Sequence, residues 1–318
     1  MATAIRASRS RRPSPESGAG VDRERVDLAA RRAVFERYLR ERLRALRGVP
    51  PRLAAAIRYA VLGGGKRVRP LFVLLGAEAV GGARKHALPA AVAFEYVHAF
   101  SLVHDDLPAM DDDDWRRGRP TLHKRFEEST AILAGDALLA MAFEEMARLS
   151  RLGLASERTL EATRLLARAA GAAQMVAGQQ LDMEAEGKPT ARRRVTVERI
   201  HRRKTGALIA AAVEVGVLVG GGSAGDRRRL RRIGEDLGFA FQIVDDLLDE
   251  RSSRATIGKS VRADRARGKA TFPAAVGIEE AERTVNRLVA KARTGLRPLG
   301  RNGTGLRELA DFLEQRER

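Results

Sequence analysis

The chain has 318 residues, no cysteine, a formal net charge of +18 at pH 7 and aromatic residues at only 4%. Without cysteine there is no disulfide and no thiolate metal site, which suits a reducing compartment such as the cytoplasm. The charge would ordinarily suggest a nucleic-acid partner, but the arginines are scattered along the chain and few aromatics accompany them, so a stacking platform for bases is not expected. No apolar run reaches the length of a transmembrane segment.

Residues 1–22 read as a disordered basic extension, because Arg6, Arg9, Arg11 and Arg12 alternate with Ser and Pro and almost nothing apolar is present to bury. Its Arg/Ser richness also resembles an organelle transit peptide, a minor alternative to a cytoplasmic chain. Residues 23–318 read as one domain. From Val26 to Arg47 apolar residues recur at helical spacing, Pro50-Pro51 stops that helix, and Leu53 to Leu62 starts another. Gly63-Gly64-Gly65 then breaks the chain before Lys66, Arg67 and Arg69. Glycines that expose backbone N–H groups, followed by cations at a helix start, form an arrangement suited to phosphate. Cations there oppose the helix dipole, and an anionic ligand would offset that cost.

Leu71 to Val80 continues as an apolar helix, and Pro89 is expected to open a buried central helix from Ala90 to Leu107, in which His98 is a polar exception. The helix leads into Asp105-Asp106-Leu107-Pro108-Ala109-Met110-Asp111-Asp112-Asp113-Asp114, followed by Trp115, Arg116 and Arg117. Strong negative and positive charge side by side invites a metal and a phosphate together. Magnesium is typically held by one or two carboxylates plus substrate phosphates, and arginine meets the remaining oxygens with a two-pronged fork. On an ideal helix Asp111 would lie about 240° around from Asp105, leaving Asp112 the better aligned. Pro108 disfavours helical geometry at Leu107, so the motif is expected where the helix ends.

Gly118-Arg119-Pro120 is expected to be a turn, and Ala131 to Met146 and Ala170 to Met183 helices, the second carrying Gln179 and Asp182. Ile200 to Val219 is expected to be one long helix with Lys204 and Thr205 before its apolar part, where a lysine can reach a phosphate while its stem packs. Gly220-Gly221-Gly222-Ser223 links it to the helix that carries Phe241-Gln242-Ile243-Val244-Asp245-Asp246-Leu247-Leu248-Asp249. Asp245 and Asp249 are one turn apart and can share a cation. Two acid-rich segments in apolar frames are expected to face one cavity, since buried carboxylates need a counter-charge.

Asp105-Asp106-x-x-x-x-Asp111 and Asp245-Asp246-x-x-Asp249 resemble the two aspartate-rich motifs of the trans-polyprenyl diphosphate synthases, the farnesyl and geranylgeranyl diphosphate synthase family. Gly63 to Pro70, Arg116-Arg117-Gly118 and Lys204-Thr205-Gly206-Ala207-Leu208 agree with that family in order and spacing. The resemblance runs from about Ala30 to the C-terminus. It implies an all-α fold, the large helical bundle of the isoprenoid synthases with a central active cavity, and a homodimer.

The resemblance also implies roles. Asp105, Asp106, Asp111, Asp245 and Asp249 would hold Mg2+, three ions in all with bound diphosphate, Mn2+ being a substitute. Lys66, Arg69, His98 and Arg117 would bind isopentenyl diphosphate. Arg116, Gln179, Lys204, Lys259 and Lys269 would face the allylic diphosphate, with Thr205 and Gln242 near the developing positive charge. Ionisation of the allylic diphosphate would leave a cation that the isopentenyl double bond attacks, with water excluded. The departing pyrophosphate takes the last proton in this family, so no side-chain base is assigned.

Phe100, five residues before Asp105, lies about 7.5 Å down a helix axis. In bacterial-type members an aromatic there, with Ser101 beside it, shortens the product, favouring farnesyl over geranylgeranyl diphosphate. A terpene cyclase would need no Gly63–Arg69 site, and a non-catalytic partner subunit would be expected to have lost acids from one motif.

Overall fold

A computed structural model of the chain describes residues 28–189, 193–255 and 269–315. The basic extension, and with it the domain boundary at residue 22, lies outside the described residues, as does Lys259. Fourteen α-helices carry the described structure: α1 (Leu28–Arg44), α2 (Pro51–Leu62), α3 (Val68–Glu78), α4 (Arg84–Asp105), α5 (Leu122–Phe126), α6 (Glu128–Arg151), α7 (Ser156–Ala170), α8 (Met175–Ala185), α9 (Arg194–His201), α10 (Ala207–Val219), α11 (Ala224–Ala255), α12 (Phe272–Val276), α13 (Ile278–Leu296) and α14 (Thr304–Gln315). The expected all-α bundle is therefore observed.

The core is built on α3, α4 and α10. Every residue of α10 from Leu208 to Val219 is buried, which is the signature of a helix surrounded by others. α3 and α10 cross at backbone contact: a Cβ on Gly216 would lie 2.2 Å from the Val73 carbonyl oxygen, and one on Gly76 2.6 Å from that of Val213. Any larger residue at either position would separate the two helices. α6 packs along α4, and α11 along α10, so the two acid-rich segments emerge from neighbouring parts of one core.

Four local features differ from the sequence reading. α4 begins at Arg84 and holds Pro89 inside it. The carbonyl that Pro89 leaves without a partner is that of Lys85, which is exposed, so water can satisfy it. The segment from Ile200 is not one α-helix: α9 ends at His201, and Arg202–Gly206 form a π-turn before α10. The turn expected at Gly118 closes a two-residue antiparallel ribbon, Trp115–Arg116 with Arg119–Pro120. Its corner residues Arg117 and Gly118 both have positive φ, 54° and 72°, the geometry of a two-residue hairpin turn. α7, amphipathic and packed on α10, occupies a stretch to which the sequence reading assigns no element.

Candidate active site

A cavity of about 1120 Å³ opens between α3, α4, α8, the π-turn and α11. Asp105 and Asp111 line it from one side and Asp245 from another, with Lys66, Arg69, His98, Arg116, Arg117, Gln179, Lys204, Thr205, Gln242 and Lys269 between them. Phe100 and Ser101 line it further along α4. Sequence spacing alone could not have placed these segments around one space; the bundle does.

The alignment of Asp105 with Asp111 has a backbone cause. α4 stops at Asp105, and the chain folds back so that the Asp111 N–H donates to the Asp105 carbonyl at 2.8 Å, with Asp112 N–H to Leu107 O at 3.1 Å. Asp112 takes a left-handed φ of 48° at the corner. Asp111 thus faces the cavity, and Asp112, the better candidate on helix geometry alone, does not line it. Asp112, Asp114 and His123 instead form the group, among the described residues, whose potential ligand atoms lie within 4.8 Å of one another, and Lys124 is bound to Asp114 there at 2.8 Å.

The acids at this end are held against their charge. Burial raises the Asp105 carboxyl to about 6, with Lys204 pulling it down and Asp111 pushing it further up. Asp106 is also raised to about 6 by burial, opposed by Arg116. Its carboxylate accepts from Arg116 Nε at 2.6 Å, while Arg116 Nη2 reaches Asp113 at 3.2 Å. Asp106 is thereby a holder of Arg116 as much as a member of the motif. Lys204 Nζ donates to Asp182 at 2.7 Å, and Lys269 Nζ lies 3.6 Å from Asp111.

The second motif splits into three environments. Asp245 is half-buried and lines the cavity, whereas Asp249, one turn on, is exposed and outside the lining. Asp246 is buried and turned inward. It accepts from Gln242 Nε2 at 3.0 Å and from the Phe272 backbone N–H at 2.8 Å. Gln242 in turn accepts from the Thr205 hydroxyl at 2.7 Å. Burial pushes the Asp246 carboxyl to about 7, against those two hydrogen bonds. Asp246 is not among the site residues read from the sequence; its place between Asp245 and Asp249, both expected metal ligands, was the available signal. His201, with Nε2 at 3.4 Å from Asp246 Oδ2, was missed as well.

The opposite end is basic. Gly64 and Gly65 have φ of 86° and 131°, a conformation that L side chains rarely adopt. Arg117 donates to the Gly64 carbonyl and occupies the space a Cβ on Gly65 would need. The ribbon is fixed to α2 by the Tyr59 hydroxyl, which donates to Pro120 O at 2.8 Å, and by Arg119 stacked 3.9 Å over the Tyr59 ring. These contacts bring Arg116 and Arg117 beside Lys66 and Arg69.

The basic residues do different work. Arg67, with φ of 51°, is buried and structural: it donates to Glu36 at 2.7 Å, to Glu95, and to the Val61 carbonyl at 2.9 Å. Arg69 has a buried Nε with no hydrogen-bond partner, and burial lowers its guanidinium to about 10, so it remains charged at neutral pH. Burial and then the surrounding Arg69, Arg117, Arg116 and Arg67 hold His98 well below the usual imidazole range. It is neutral and can donate or accept one hydrogen bond without adding charge. A half-buried guanidinium whose Nε has no hydrogen-bond partner, beside a neutral imidazole, calls for an anion.

On α8, Gln179 also presents a buried, unpartnered Oε1 at the cavity. α8 meets the π-turn at backbone contact, since a Cβ on Gly178 would lie 2.2 Å from Lys204 N. The π-turn's wider loop thus seats Lys204 and Thr205 at the wall, a common use of such turns at functional sites. The donor set suits magnesium: carboxylate oxygens of Asp105, Asp111 and Asp245 around a polar cavity, no thiolate, and cations opposite for phosphate.

Comparison with known proteins agrees with this geometry. Residues 50–296 match the Polyprenyl synthetase family. The chain is 43% identical over 270 residues to the farnesyl diphosphate synthase of Escherichia coli, covering 82% of this chain and 88% of that protein. It is 43% identical over 250 residues to a heterodimeric geranylgeranyl pyrophosphate synthase large subunit of Arabidopsis thaliana, covering 78% of this chain but 66% of the plant protein. Among solved structures, a geranyltransferase from Legionella pneumophila superposes with a TM-score of 0.79 at 33% identity, over 91% of this chain and 95% of that one. A Helicobacter pylori geranyltransferase complexed with magnesium and isoprenyl diphosphate gives 0.77 at 28% identity, over 91% of this chain and 97% of that one. The chain belongs to the polyprenyl synthetase family and has the isoprenoid synthase fold.

Proposed function

We propose that this protein condenses isopentenyl diphosphate head-to-tail with dimethylallyl and geranyl diphosphates and releases farnesyl diphosphate. The observation that carries the reading is the cavity itself, in which both aspartate motifs face a separate basic end. Arg69, Lys66, Arg117 and His98 there fit the diphosphate of isopentenyl diphosphate. Magnesium, when held by Asp105, Asp111 and Asp245, with Asp106 and Asp249 in support, supplies positive charge to the allylic diphosphate as its carbon–oxygen bond weakens.

The chain's own residues do the rest. Arg116, Lys204 and Lys269 each rest on a carboxylate, Asp106, Asp182 and Asp111 in turn. A diphosphate entering between them offers those cations a second anionic partner, so their charge is already oriented where negative charge grows. Lys259 belongs to the same proposed set. Thr205 and Gln242 direct oxygen dipoles along the wall beside Lys204, where positive charge on an allylic carbon would be favoured. The basic end fixes the second substrate so that its double bond lies within reach. Phe100, Phe241, Met175 and Met183 give the cavity apolar walls that exclude water.

Product length is set by the floor. Phe100 lines the cavity and stands edge-on to His104 with ring centroids 4.9 Å apart, a packed aromatic stop beside Ser101. That supports a fifteen-carbon product over a twenty-carbon one, although relatives of both names match the chain. Neighbouring exposed Ile132 and Leu133 on α6 suit burial against a second copy, in keeping with a homodimer. Among the described residues no helix is long and apolar enough to cross a membrane, and a cytoplasmic enzyme acting without nucleic acid is the reading we adopt.

The test is incubation with magnesium, isopentenyl diphosphate and, separately, five-, ten- and fifteen-carbon allylic diphosphates, with products identified by mass. Elongation that stops at fifteen carbons is expected. A twenty-carbon product would replace the farnesyl reading by the geranylgeranyl one, and no condensation with any acceptor would overturn the synthase reading.

A further inference from the structure

Behind the π-turn lies a second cavity, of about 220 Å³, separate from the one described above. Arg168 of α7, Arg202 of the π-turn and Arg231 of α11 line it, with Leu165 and Ala210 among its apolar floor residues. Glu235 is the acid in its wall. Arg231 is shared between Glu235 at 3.1 Å and the buried Glu214 at 2.9 Å. Arg202 is held in place by stacking 4.4 Å over the Phe239 ring, so its guanidinium charge is not cancelled. Arg168 makes no ion pair among the described residues. Three guanidinium groups thus converge on a recess whose wall offers one carboxylate.

We propose that this recess is a second binding site for a small organic phosphate, one whose charged head meets Arg168 and Arg202 and whose short apolar part lies on the Leu165–Ala210 floor. The volume limits the ligand to about the size of a five-carbon diphosphate, and forked guanidinium groups favour phosphate oxygens. The location gives such binding a consequence. Arg202 and Gly206 belong to the same π-turn as Lys204 and Thr205, and Gln174 in the recess wall directly precedes α8, which carries Gln179 and Asp182. A ligand outside the turn therefore touches the two elements whose inner sides hold Lys204 and its partner Asp182.

The probe is isopentenyl diphosphate in chelator, measured by equilibrium dialysis on the full chain; this choice rests on the reading that isopentenyl diphosphate is a substrate. Wild-type protein is expected to bind two equivalents per chain. Arg168→Glu, at an exposed position, is expected to lose one and keep the other, as is Arg168→Ala with Arg202→Ala. Arg69→Ala is expected to lose the opposite one. Inorganic pyrophosphate displacing the second equivalent as well as isopentenyl diphosphate does would overturn the role of the apolar floor. One equivalent in wild type that Arg168→Glu leaves untouched and Arg69→Ala removes would overturn the second site and leave the proposed function standing. No binding in any form would count against both.

Discussion

On the proposed reading, the two ends of the cavity are built for anions by opposite strategies. At the basic end the charge is built in: Arg69 carries a buried Nε with no hydrogen-bond partner, burial and then the surrounding arginines keep His98 neutral, and the glycine turn leaves room for the guanidinium of Arg117. At the acidic end the protein stores carboxylates that by themselves would repel a diphosphate, and Asp105 and Asp106 are pushed up to about 6 because burial outweighs the cations beside them. One end is ready for an anion as it stands, and the other becomes so only with a cation. That difference teaches which substrate should depend on metal, and it orders the ways to break the arrangement.

The largest effect should come from the acidic end. Asp105→Ala or Asp245→Ala is expected to lower kcat by about 10²–10³ or more, since each removes charge stabilisation needed as the bond breaks. Steady-state rates with saturating substrates check this, and a wild-type kcat would remove these acids from the chemistry. At the basic end, Arg69→Ala is expected to raise KM for isopentenyl diphosphate by about 10- to 100-fold, the worth of a charged hydrogen bond. The KM for geranyl diphosphate should change little; equal loss for both substrates would contradict the separation of the two ends.

A smaller change sharpens the comparison without touching either end. Phe100→Ala is expected to lengthen the product by at least one five-carbon unit, read by mass, with turnover reduced only severalfold. An unchanged product would show that Phe100 packs against its neighbours without limiting the chain.

The smallest effect concerns Asp246, which carries no metal in this account. Its carboxyl has a pKa of 3.8 ordinarily and about 7 in the fold. At acid pH both folded and unfolded chains hold the proton and the group contributes nothing. Between these values the unfolded chain has lost a proton that the fold retains, so its contribution becomes more unfavourable as pH rises and levels off above about 7. In chelator, the melting temperature of wild type is therefore expected to fall between pH 5 and 7.5 relative to that of Asp246→Asn. Parallel melting curves for the two would show that Asp246 is not held in this way.

Much of this could be read from the sequence, and the exceptions share a cause. The helices, the glycine turn and both motifs carry their own signals in spacing and composition. Apart from the amphipathic α7, what failed was decided between segments. Pro89 argued for a helix start, but its one lost hydrogen bond falls at an exposed carbonyl, so α4 runs through it. Asp111 could not be aligned with Asp105 by helix arithmetic, because a fold-back after α4 does the alignment. Arg67 sits in the same basic run as Lys66 and Arg69, yet only packing reveals that Glu36 and Glu95 claim it. The π-turn at Lys204 has no sequence mark, since the extra residue is accommodated by Gly178 on another helix. Asp246 differs from Asp245 only in which way α11 turns it.

The most direct test of the two-ended cavity is calorimetric titration of each substrate with and without magnesium, using a non-ionisable thiolo analogue of geranyl diphosphate. The account predicts that isopentenyl diphosphate binds in chelator with nearly its full affinity, while the analogue binds measurably only when magnesium is present. If isopentenyl diphosphate needed magnesium as strongly as the analogue does, the basic end would not be the built-in anion site described, and the account would be contradicted.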